Sequence, residues 1–141
     1  MMVHDTRVRV SLWFLILGGV GVGMWAQFFP QAFYDSFPGF GRSWVSVDGP
    51  FNEHLVRDVG GGYLALAAVT LMAMWTKTKE VIQATALGWL AAQIPHFVYH
   101  VSHLDHFAST TDKVGNVIIL TLLVLVPAYL LVRTIRESVG V

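Results

Sequence analysis

A chain of 141 residues has room for one domain, and 55% hydrophobic against 13% charged residues, with a mean hydropathy of +0.59, sets it apart from water-soluble domains. Nine basic and nine acidic side chains cancel, so the basic face that nucleic-acid binding requires is missing. With no cysteine the chain forms no disulfide, thiolate metal site or cysteine nucleophile, which also argues against iron–sulfur clusters.

Crossing about 30 Å of hydrocarbon takes roughly 20 apolar residues in a helix. Four runs have that length, near 8–29, 55–75, 81–104 and 114–132. They predict an all-α fold, a four-helix transmembrane bundle occupying 1–141 as one integral membrane domain. The first run follows Arg7 and Arg9, and Met-Trp-Ala-Gln-Phe-Phe after Gly23 offers no small-residue cleavage site, so it reads as a true span rather than a secretion signal. Gly18, Gly19, Gly21 and Gly23 include a Gly19-x3-Gly23 pair that suits close helix approach, within one bundle or at a dimer seam.

Between the first two runs, Pro30–Asn52 is too long for a plain turn. It holds Phe33, Tyr34, Phe37, Phe40, Trp44 and Phe51, broken by Pro38-Gly39 and Gly49-Pro50. This aromatic outer loop is expected to lie in the membrane interface or to fold over the mouth of the bundle. The second run opens with His54 and Asp58 as i, i+4 partners, flanked by Glu53 and Arg57. Arg57 either neutralises Asp58 or binds an anionic head group. Gly60-Gly61-Gly62 follows, where small residues suit close helix approach, let backbone approach a ligand, or loosen the second helix locally.

The third run is the most polar. Gln93, Pro95, His96, His100 and His103 crowd its second half, so its polar stripe is expected to face protein, with a kink at Pro95. His106 lies off that stripe. Thr111 or Asp112 is the expected cap of the fourth helix, with Asn116 one turn in. Trp25, Trp75 and Tyr129 read as belt residues. His4 is assigned no role. Arg7, Arg9, Lys77, Lys79, Arg133 and Arg136 fall on one side and Arg42, Arg57 and Lys113 on the other, which predicts cytoplasmic N- and C-termini.

At about 1.5 Å per residue, His54 comes level with His103 and Asp58 with His100, while Asn116 and Gln27 fall in the same layer. Polar groups at that depth are costly and usually functional. Neutral imidazoles with a carboxylate suit zinc, copper, iron or nickel, so His54, Asp58, His96, His100 and His103 are the candidate metal ligands. Glu53 and Asp105 are candidate orienting groups or catalytic bases. If the chain is an enzyme, metal-activated water attacking an amphiphilic substrate is the natural chemistry. Two alternatives stay open. His54 and His100 could ligate haem axially in an electron carrier. Or the layer is a hydrated pocket for a lipid or partner in an accessory subunit without metal. The bilayer, an amphiphilic small molecule and a homo-oligomer or partner membrane protein are the expected partners.

The four-span layout, with His54-Leu-Val-Arg-Asp-Val-Gly-Gly-Gly-Tyr-Leu-Ala65 opening the second span, resembles the DoxX-like group of small bacterial membrane proteins. That resemblance implies a compact four-helix bundle in a bacterial cytoplasmic membrane and little about activity.

Overall fold

The computed structural model describes residues 5–139, with side chains to residue 137; His4 lies outside the described residues. Helix α1 runs Thr6–Phe28, started by the Asp5 carboxylate, which accepts from the Arg7 backbone N–H at 2.9 Å. Pro30 cannot donate to the preceding turn, so it opens a separate short helix instead, α2 (Pro30–Ser36). A two-residue antiparallel pair follows, β1 (Pro38–Gly39) with β2 (Arg42–Ser43). Its tight turn needs left-handed backbone at Gly39 and Gly41, with φ of 96° and 73°. A 3₁₀ turn at Ser46–Asp48 leads to α3 (Glu53–Thr76), capped by the Asn52 side chain on Leu55 N–H. Helix α4 (Lys79–Ser102), a 3₁₀ turn at Leu104–His106 and α5 (Thr110–Val139) complete the chain.

The fold is all-α apart from that small hairpin, and the four long helices match the four sequence runs. Helix α1 packs chiefly on α3 and α4 chiefly on α5. Contacts of α3 with α4 and of α1 with α5 join the two pairs. Small residues allow the first pairing: a Cβ on Gly19 would sit 3.0 Å from Ala67 Cβ, and one on Gly60 only 2.5 Å from the Gln27 backbone nitrogen. The Gly19-x3-Gly23 pair is therefore packing within the chain, since Gly23 faces Leu64 of α3.

Three of the long helices, α1, α3 and α5 to Glu137, are long and apolar enough to cross a membrane. Helix α4 has the length but not the composition. It turns Thr85 and Gln93 inward, both buried, and puts Leu87, Ile94 and Val98 outward. Much of the exterior of the long helices is apolar: Val10, Leu71, Ile118 and Leu125 are exposed, the reverse of a water-facing bundle.

The two ends are built differently. At the end where α1 and α4 begin, Val8, Leu12, Leu15, Ala73, Ile82, Ala86, Trp89 and Leu130 form a closed core. At the other end, Phe33 of α2 packs with Ala26 and Val56, and Trp25, Phe37, Val45 and Phe51 gather on that cluster. The aromatic segment is thus a folded cap over the helix ends. One detail departs from the sequence reading. Helix α5 begins a residue early, so Ser109 Oγ, not Thr111 or Asp112, accepts from the Thr111 N–H at 3.2 Å. That leaves Asp112 free to hold the cap: it accepts from the Trp44 indole N–H at 2.8 Å and pairs with Arg42.

Candidate functional site: a capped cavity with one polar end

Beneath the cap lies a cavity of about 510 Å³, within the usual range for small-molecule sites. Its walls come from every long helix and from the cap. Phe14, Leu17 and Val22 of α1, Val56 and Val59 of α3 and Leu120 and Leu123 of α5 make most of it hydrocarbon. Most of the polar lining is at the cap end, at Asp48, His96, His100 and Asn116, while Tyr63 lies deeper, on the α3 wall. Leu123 lies seven residues below Asn116, about 10 Å along α5. The cavity is therefore an elongated slot, mostly hydrocarbon at depth and polar at its capped end, here called its mouth.

Asp48 organises the mouth. Its Oδ1 bonds His106 Nδ1 at 2.8 Å, and its Oδ2 lies 3.8 Å from His100 Nδ1. The His96 and His100 rings meet edge to face with centroids 4.6 Å apart. Asn116 is only 4% exposed, and its Oδ1 has no hydrogen-bond partner among the described residues; nor has His100 Nδ1. Buried polar atoms without partners are uncommon in native proteins and ask for a ligand or water.

Beside this cavity a groove of about 420 Å³ runs between α3 and α4, lined by Gly62, Ala65, Ala92, Gln93 and His96 among others. Val59, Tyr63 and His96 line both spaces. The Gln93 amide donates to the Tyr63 hydroxyl at 3.1 Å, making a polar partition between them.

No family model, no curated protein and no solved structure matches this chain. The site has to be read from its own geometry.

The structure gathers part of the predicted ligand set and separates the rest. His96 and His100 line the cavity together. His103 ends α4 and turns back, its Nδ1 bonding the Tyr99 carbonyl at 2.7 Å while its ring stacks on Tyr99. His54 and Asp58 stand on an exposed face of α3, their side chains 83% and 62% exposed, and pair with each other at 3.3 Å. The reason is rotational. Gly60 must face α1, and residues two and six positions earlier then lie roughly 200° and 240° around the helix from it. His54 and Asp58 share the expected height but point away. Among the described residues, no three histidine, aspartate or glutamate side chains are disposed to hold a metal ion. His54, on that exposed face, is not among the residues that line the cavity with His100.

The other candidates are engaged elsewhere. Glu53 accepts from Arg57 Nε at 2.9 Å, and Arg57 also donates to the Gln27 carbonyl, so Arg57 neutralises Glu53 rather than Asp58. Asp105 is exposed in the turn after α4. Asp48 and the cap role of His106 escaped sequence reasoning. They meet across 58 residues, and nothing in the local pattern of either segment signals the other.

Proposed function

We propose that this chain is an integral membrane protein of four crossing helices, both termini cytoplasmic, that binds an amphiphile in its capped cavity at the outer face. The observation that carries the reading is the cavity's division into a hydrocarbon slot and a polar mouth with unpartnered buried atoms. An amphiphile has that same division, and its head would supply the missing partners. The four-span arrangement is supported by the apolar exterior, which includes the outward side of α4, and by the burial of Thr85 and Gln93 on that helix. The orientation is supported by Arg7, Arg9, Lys77, Lys79, Arg133 and Arg136 collecting at the end opposite the cap. Kinship with the DoxX-like group belongs to the same proposal and carries none of its weight.

Of the three functional readings of the sequence, the geometry favours the binding protein without metal. Protein purified in mild detergent from native-like membranes, extracted and analysed by mass spectrometry, is expected to yield one amphiphile class in near-stoichiometric amount. Substituting Trp for Leu123 would fill the slot and remove it. A preparation with no bound amphiphile but a stoichiometric transition metal, or a Soret band, would replace this reading with the metal or haem one.

A further inference from the structure

We propose that the mouth of the cavity selects amphiphiles whose head is uncharged and donates hydrogen bonds, such as a glycerol or other hydroxyl head, and rejects carboxylate and phosphate heads. The inference rests on the amphiphile reading above and adds the chemistry of the head.

The first ground is charge. Among the described residues that line the cavity, Asp48 is the only aspartate, glutamate, lysine or arginine. The two arginines at this end are committed elsewhere, Arg42 to Asp112 and Arg57 to Glu53 and the Gln27 carbonyl. An anionic head seated here would meet a carboxylate in a partly dry site with no lysine or arginine in the lining to offset it.

The second ground is hydrogen-bond supply. The Asp48 side chain is 23% exposed and acceptor-only when ionised. His106 occupies Oδ1, while Oδ2 is left with His100 Nδ1 at 3.8 Å, beyond hydrogen-bond reach. Asn116 Oδ1 is a buried acceptor without a donor. Asn116 Oδ1 and Asp48 Oδ2 are thus two acceptors that no donor among the described residues reaches, and a buried acceptor left unmade is the costly case. A glycerol head carries hydroxyl donors for both positions. An ionised carboxylate or phosphate group has no hydrogen to give to either position.

Native mass spectrometry of the detergent-purified full chain at neutral pH tests this with three ligands that share one oleoyl chain: monoolein, oleate and 1-oleoyl lysophosphatidic acid. Monoolein should be retained about tenfold or more over both anions, the scale a nearby like charge imposes at a protein surface. Asp48→Asn should narrow that ratio to within about threefold by admitting the anions. Should that variant fail to fold, Asn116→Leu carries the test: it should weaken monoolein without improving oleate. Equal retention of the anions, or an Asp48→Asn ratio unchanged from the parent, overturns the head-group assignment and leaves the amphiphile reading standing. Retention of none of the three overturns both.

Discussion

The two ends of this bundle use the same kind of material for opposite purposes. In the closed end, the buried polar groups are matched. The Trp89 indole N–H donates to Thr70 Oγ1 at 2.9 Å, and the Thr70 hydroxyl donates onward to the Leu66 carbonyl at 2.6 Å. Trp89 itself is fully buried among Leu12, Leu15, Ile82 and Leu130. At the capped end, a comparable set of buried polar atoms is left unmatched around an open slot, and a folded aromatic segment covers it. Among the described residues, matched polar groups mark a core at one end, and the unmatched His100 Nδ1 and Asn116 Oδ1 mark a site at the other.

Substitutions should separate the two ends sharply. The largest effect is expected from Trp89→Ala, which opens a cavity in the solid end and should cost about 3–5 kcal/mol, read from reversible unfolding in mixed micelles. A smaller contrast is more telling. Thr70→Val keeps the shape but strands the Trp89 N–H, and should cost about 1–3 kcal/mol. The corresponding removal of a polar atom at the capped end, Asn116→Leu, should change stability by no more than about 0.5 kcal/mol, because no internal bond is lost. If Asn116→Leu proves as damaging as Thr70→Val, its amide has a structural partner and the contrast between the ends disappears.

Much of the architecture was legible in the sequence because membrane-length apolar runs are long, strong signals. All four long helices lie where those runs fall, and Asn52, Pro30 and Ser109 explain their ends by ordinary capping and proline chemistry. The polar layer was legible in height and not in direction. Counting residues from a helix end gives depth at a fixed rise, but the rotation of α3 depends on which of three consecutive glycines meets α1. Gly60 takes that place, against Gln27, and Gly62 meets nothing. His54 and Asp58 are carried to the outside by that choice. Of the stripe on α4, His96 and His100 reach the cavity lining, while His103 turns back onto Tyr99. Asp48, the residue on which His100 and His106 converge, sits in a loop whose path is fixed by tertiary contacts. Those are Tyr34 to the Gly49 carbonyl at 2.6 Å and Trp44 to Asp112. No periodicity encodes them.

Photolabelling tests the central claim most directly. Monoolein carrying a diazirine near the end of its chain, incorporated into membranes with this protein and irradiated, should mark the slot, with modified peptides containing Leu120, Leu123 and Phe14. Occupancy of the cavity by an amphiphile predicts those labels and their suppression by excess unlabelled monoolein. Labels confined to outward residues such as Leu71 and Leu125, with none competed away, would contradict it.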